Sequence, residues 1–300
     1  MALLTIFSAP KPFSDPHIAM IQRNAIQSWL QLGNEVEVLL IGNEAGMHEI
    51  AEEFNIRQLP DVVCNASGTP LVSSIFEQAY LASAAPNLAY VNADIILLPD
   101  FVSAAKSVSK QEEHFLIVGQ RWDLEVNANI DFSSGWEERL KTDLQTDGTL
   151  HLPAGSDYFI YPRSIFRKLP EFAIGRAGWD NWMIYHAKVE GWQVIDATPS
   201  ITAIHQAHDY RHLPDGKPHY ELPESQHNEN LAGGSANLYM VLDSDKELRH
   251  GRVTAPKWTA PRTLRQAEVR FTPSDGKRSG WRWSVARQAR RIRRKLTGSL

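Results

Sequence analysis

The run Ala89-Tyr-Val-Asn-Ala-Asp-Ile-Ile-Leu-Leu-Pro99 sets an amide, Asn92, and a carboxylate, Asp94, inside an otherwise apolar stretch. Burying a carboxylate without a partner is costly. The strand is therefore expected to end at Asn92, with Asp94 just past its carboxyl end, where ligands bind in open α/β sheets. A carboxylate there, two residues after an amide, suits a hard divalent cation held jointly with substrate phosphates. An Asp that only shapes a turn would leave the same tripeptide, so other groups must decide.

Four further clusters carry polar groups of the right types. Phe7-Ser-Ala-Pro-Lys-Pro-Phe13 offers Pro10 and Lys11 directly after an apolar run, and Gly42-Asn43-Glu44 follows another. Pro153-Ala-Gly-Ser-Asp-Tyr-Phe-Ile-Tyr-Pro-Arg163 puts Asp157 at a strand start. Gly175-Arg-Ala-Gly-Trp-Asp-Asn-Trp-Met183 puts Asp180 at a helix start, where it could cap the helix, accept a proton, or do both. Trp179 and Trp182 beside it could stack on a ligand or fill the core. Ile201-Thr-Ala-Ile-His-Gln-Ala-His-Asp209 delivers His205 at a strand end, with His208 and Asp209 close behind. A His there is a structural residue or a metal ligand needing an orienting partner. His-X-X-His with an Asp is also compatible with zinc, though its spacing is not that of the helical zinc motif.

The elements that must position these groups alternate. Strands are expected at 3–7, 36–41, 56–59, 88–92 and 115–119. Helices are expected from Asp15-Pro16 to Gly33, over 45–54 and from Thr69-Pro70 to about 84, with Asp15 as N-cap and Pro16 at the first helical position. Residues 123–149 read as loop with a short helix near 136–144. Beyond them come a strand at 157–161, a helix at 180–190, and short strands at 192–195 and 201–204. Such alternation indicates the α/β class with a mainly parallel sheet flanked by helices.

At 300 residues and 43% hydrophobic content, the chain can bury a sizeable core. Cys64 is its single cysteine, so an internal disulfide is excluded and a reducing compartment fits. The N-terminus has no basic segment and runs directly into a strand, so no signal peptide is expected. No stretch of about 18 apolar residues occurs, which argues against a transmembrane helix.

Taken in order, these segments resemble the GT-A fold glycosyltransferases, family-2-like enzymes that use nucleotide-diphosphate sugars. Asn92-Ala93-Asp94 is similar to their Asp-X-Asp motif, with Asn in the first position, and the resemblance spans about residues 3–251. It implies a GT-A fold and transfer of a sugar to a hydroxyl acceptor, with inversion. Mn²⁺ or Mg²⁺ would sit on Asp94 and His205, with Asp180 as the base. Pro10, Lys11, Asn43, Glu44, Asn92, Asp94 and Asp157 would contact the nucleotide sugar, Asp157 through sugar hydroxyls. Asn92 removes one charge from the metal site, which leaves open a catalytically inactive sugar- or nucleotide-binding scaffold. A nucleotidyltransferase would want a Gly- and Lys/Arg-rich loop after the first strand, and this loop has only Lys11.

The charge is uneven. Residues 277–300 carry nine Lys or Arg and no acid, leaving 22 basic against 35 acidic residues elsewhere, a formal −13. The expected division is a glycosyltransferase domain over 1–255, followed over 256–300 by a linker and a basic amphipathic or disordered tail. Basic residues interleaved with Trp281, Trp283, Val285 and Ile292 suit an anionic membrane surface. The acidic body argues against nucleic acid as a partner. The expected location is cytoplasmic, peripheral to the inner face of the membrane.

Overall fold

The computed structural model describes residues 2–207, 222–273 and 278–298. Strand β1 (Leu4–Ser8) is buried along its whole length. Asp15 caps α1 (Pro16–Leu30) as the sequence implies, its carboxylate accepting the N–H groups of His17 and Ile18 at 2.9 Å. β2 (Val36–Ile41), α2 (Met47–Glu53) and β3 (Arg57–Leu59) follow. α3 (Val72–Ala82) starts later than expected, because Pro70 and Leu71 are extended and bridge to Cys64 and Ala173.

The run from Ala89 divides as its polar residues require. β4 (Asn87–Val91) belongs to one sheet and β5 (Ile95–Leu97) to another, with a turn between them closed by the Ile95 N–H donating to the Asn92 carbonyl at 3.1 Å. Next come α4 (Asp100–Ser109), β6 (Phe115–Val118), β7 (Trp122–Leu124), α5 (Trp136–Asp147), β8 (Thr149–Leu150) and β9 (Tyr158–Pro162). α6 (Trp179–Val189), β10 (Gln193–Asp196), β11 (Ala203–Gln206), α7 (Pro223–Leu231), β12 (Lys246–Arg249) and β13 (Arg252–Thr254) complete the body. The segment expected as linker instead holds a helix, α8 (Ala260–Phe271), and the basic stretch forms α9 (Gly280–Thr297).

The large sheet runs β13-β12-β10-β6-β9-β4-β1-β2-β3. Its pairs are parallel except where β9 lies between β4 and β6 and where β13 closes an edge. Both faces are covered, as a parallel sheet requires. Leu4, Ile6 and Leu40 pack toward Ala25, Ile26 and Trp29 of α1 and Phe101 of α4. Phe7, Leu39 and Tyr90 pack toward Ile75 and Phe76 of α3 and Trp179 and Met183 of α6.

The second sheet, β5-β11-β7-β8, packs Ile96, Leu124 and Ile204 against Trp136 and Leu140 of α5. β7 and β8 fall at the two ends of the segment read from sequence as loop, β5 is a strand the sequence reading does not separate, and β11 is shifted two residues beyond the strand expected at 201–204. The strands of this sheet are only two to four residues long, too short for a periodic signal.

α8 and α9 dock through ions rather than through an apolar face. Arg262 donates to the carbonyls of Leu242 (3.1 Å) and Ser244 (2.8 Å), and Arg265 binds Asp243 at 2.9 Å. Buried Glu268 accepts from Arg265 (3.0 Å), Arg290 (2.7 Å) and Arg293 (3.1 Å). Burial would push its carboxyl up, but the three guanidinium groups outweigh this and hold it below the ordinary value. Docking by charge explains why composition suggested a tail. A polar helix carries little apolar signal, yet its arginines find fixed partners once the body has folded.

Candidate active site

The carboxyl ends of β1, β2 and β4 open into a cleft of about 780 Å³, closed on the far side by residues 151–157 and 174–181. Pro10, Lys11, Glu44, Asn92, Asp94, Asp157, Asp180 and His205 all line it. Asn43 does not: its side chain lies exposed outside the cleft, because Gly42 turns the chain at φ +124° before Glu44 faces inward. Lys11 is placed by Gln22 of α1, whose amide accepts from the Lys11 N–H at 2.7 Å and donates to its carbonyl at 3.0 Å. Burial lowers the Lys11 ammonium pKa, and the Asp94 charge partly offsets this.

Asn92 lines the cleft with its amide engaged by neighbouring side chains. Its carbonyl accepts from the Tyr90 hydroxyl at 3.0 Å and its amide donates to Asp157 Oδ1 at 2.8 Å. Arg121 donates to the same oxygen at 2.8 Å, so Asp157 Oδ1 is held from two sides in a residue that lines the cleft. Asn92 thus helps to fix the Asp157 carboxylate at the cleft wall. Asn92→Asp would replace a donor by a second carboxylate facing Asp157, and two acids at that spacing do not both ionise. The variant should lose about 1–3 kcal/mol of stability, and the loss should grow as pH rises from about 5 to about 8. Thermal unfolding at the two pH values checks it; an unchanged or raised melting temperature would contradict this arrangement.

Asp94 and His205 come together because β5 pairs antiparallel with β11, setting Ile95 opposite His205. His205 Nε2 lies 3.7 Å from Asp94 Oδ2. A carboxylate oxygen and an imidazole nitrogen at that spacing can share one divalent cation. Among the described residues no group of three or more His, Cys, Asp or Glu is placed to hold a metal. The pair thus suits a cation whose remaining ligands come from a substrate diphosphate and water. The zinc alternative rests on His208 and Asp209, which lie outside the described residues.

Two cleft groups, Arg121 and His151, and Asp123 behind them escaped sequence reading. Asp123 of β7 accepts from His205 Nδ1 (3.0 Å), His151 Nδ1 (2.6 Å) and Arg121 Nε (3.0 Å). Burial would raise the Asp123 carboxyl, but the two histidine hydrogen bonds and the Arg121 charge outweigh it and hold the group well below the usual carboxylate range. The available signal was Arg121-Trp-Asp123, two opposite charges two residues apart and so on one face of a strand.

Asp180 stands in the first turn of α6, after Gly178 at φ +106°. Gly178 takes the N-cap position, so Asp180 does not cap the helix. Burial pushes its carboxyl up to about 6; the Asn181 backbone N–H opposes this and the Asp157 charge adds to it. Gly155 approaches so closely that a Cβ there would sit 2.3 Å from Asp180 Oδ2, so any side chain at 155 would displace that carboxylate. Asn181 ties this loop to the far wall, donating at 2.6 Å to the carbonyls of both Ala154 and Tyr239. Trp179 lines the cleft but is buried edge-on to Tyr90, with ring centroids 5.1 Å apart. Trp182 is outside the cleft, stacked on His186 at 4.5 Å.

No family model and no curated protein sequence matches the chain. Among solved structures it is similar to S. aureus TarS 1–349 in complex with UDP-GlcNAc, with a TM-score of 0.51 at 11% identity over 99% of this chain and 82% of that one. Glucosyl-3-phosphoglycerate synthase from Mycobacterium tuberculosis, in complex with Mn²⁺, UDP and glucosyl-3-phosphoglycerate, gives a TM-score of 0.47 at 14% identity over 86% of this chain and 87% of that one. At such identity the likeness lies in how the backbone is arranged, and with the large, mainly parallel sheet flanked by helices it shows that the chain has the GT-A fold.

Proposed function

We propose that this protein is a glycosyltransferase that moves a sugar from a nucleotide-diphosphate sugar to a hydroxyl acceptor with Mn²⁺ or Mg²⁺. The observation that carries the reading is the convergence of Asp94, His205, Asp157 and Asp180 on one cleft at the carboxyl ends of the strands. The TarS complex with UDP-GlcNAc supports a uridine diphosphate sugar as the donor class. Asp94 and His205 hold the cation, which when bound supplies positive charge against the leaving diphosphate. Asp157 Oδ2 accepts from a sugar hydroxyl while Arg121 and Asn92 fix its other oxygen. Asp180, its carboxyl raised by burial to about 6, accepts the acceptor proton as the acceptor oxygen attacks the anomeric carbon. Attack from the side opposite the diphosphate gives inversion. An inactive scaffold fits less well, because Asn92, its one sign of decay, holds Asp157 in place. A thermal-shift panel of nucleotide sugars with and without Mn²⁺ tests the reading. A donor at about 100 times its Kd should stabilise the fold by about 2.7 kcal/mol. If none stabilises it with Mn²⁺ or with Mg²⁺, the reading fails.

The same proposal sets the enzyme on the cytoplasmic face of an anionic membrane. Among the described residues no helix is long and apolar enough to cross one. α9 buries Ala286, Ala289 and Arg293 but exposes Trp281, Val285, Ile292 and Leu296 along one stripe, beside exposed Arg291 and Lys295. An apolar stripe edged by cations suits the headgroup boundary. Replacing Trp281, Ile292, Leu296, Arg291 and Lys295 by Gln leaves the Glu268 cluster intact. It should abolish salt-sensitive binding to phosphatidylglycerol-containing vesicles, read by sedimentation against pure phosphatidylcholine vesicles. Equal binding by the altered and unaltered proteins, or none by either, removes the membrane from the proposal.

A further inference from the structure

Asn92 leaves the end of β4 with one carboxylate, Asp94, at the proposed cation site. The structure supplies another negative charge by a different route. β7 and β11 pair in parallel with Asp123 in register opposite His205, although 82 positions separate them. Asp123 can only accept, so the ring nitrogen facing it at 3.0 Å must carry the proton. In the neutral ring this selects the Nδ1–H tautomer and directs Nε2 toward Asp94 Oδ2, 3.7 Å away. Asp123 is itself held on three sides, by His205, by His151 at 2.6 Å and by Arg121 at 3.0 Å. It has no freedom to rotate toward the cation and serve as a ligand.

We infer that Asp123 is the positioning residue of this site, fixing the tautomer and direction of His205 and replacing, one atom layer out, the carboxylate that Asn92 lacks. The inference rests on the metal-dependent reading proposed above. A carboxylate behind a ligating imidazole makes the ring a better donor, and its loss ordinarily weakens metal binding by about 10–100-fold.

The test measures Mn²⁺ affinity in the presence of UDP, by calorimetry or by the free-Mn²⁺ electron paramagnetic resonance signal. Asp123→Asn should weaken Mn²⁺ by about 10–100-fold. In a His205→Ala background the same change should have almost no further effect, because Asp123 acts through that ring. Nitrogen-15 NMR of the unaltered protein, which needs no variant to fold, should show His205 as the Nδ1–H tautomer. An Nε2–H ring in the unaltered protein, or Asp123→Asn binding Mn²⁺ as tightly as the parent, overturns the inference. Failure of the metal reading itself looks different: Asp94→Asn and His205→Ala would then both bind Mn²⁺ and UDP like the parent while the tautomer stayed Nδ1–H.

Discussion

Asp180→Asn should reduce kcat by on the order of 10²-fold or more while leaving donor affinity nearly unchanged. Asn keeps the size of the side chain and an oxygen for the Asn181 N–H, but it cannot take a proton. The same substitution should stabilise the fold, and the sign follows from where the group titrates. Burial raises the carboxyl in the folded protein to about 6, above the ordinary value of 3.8. The folded state therefore binds more protons than the unfolded chain between those values, and stability falls as pH rises through that window. Above it the ionised, buried carboxylate costs on the order of 1–3 kcal/mol. Asn relieves that cost at about pH 7 and not below about pH 4. Turnover by the parent should rise with pH through about 6 as Asp180 loses its proton. Steady-state kinetics and thermal unfolding across this range give both readouts. Normal turnover in the variant removes Asp180 from the chemistry, and loss of donor binding with activity would assign it a binding role instead.

Asp94→Asn should weaken Mn²⁺-dependent binding of a nucleotide sugar by about 10²-fold or more, beyond what an outer-sphere partner costs. Metal-free binding should change little. The fold should persist, because the Asp94 backbone carbonyl still accepts from the Gln206 amide at 3.2 Å and the replacement is nearly isosteric. Lys11 would lose a charge that offsets its burial, so its ammonium pKa should fall further. Calorimetric titration of donor with and without Mn²⁺ separates these effects. Equal metal-dependent affinity in variant and parent would dismiss Asp94 as a ligand.

The groups read from sequence were those announced by a local conflict. Asp94 interrupts an apolar run, Asp180 stands two residues after a glycine at a helix start, and His205 sits near the end of a short strand. Each is a polar residue where burial would otherwise be penalised, and a window of a few residues contains the whole signal. Lys11 and Glu44 were reachable because loops after parallel strands share one end of the sheet. Asn43 was misplaced because its neighbour Gly42, at φ +124°, decides which side chain faces the cleft. No residue pattern distinguishes Asn43 from Glu44 on that point.

The sequence by itself determined the α/β class, the N-cap of α1 and the strand that brings Asp94 to the cleft, since apolar periodicity and capping chemistry act within one turn or one strand. Tertiary structure alone decided that Asn92 helps to fix Asp157, that β5 and β11 join Asp94 to His205, and that Asp123 stands behind the imidazole. It also decided that α8 and α9 are docked, through Glu268 and its three arginines. The physical reason is common to all four. A hydrogen bond or an ion pair is satisfied by whichever partner lies within about 3 Å, and in a folded chain that partner is set by sheet register and burial rather than by separation along the sequence.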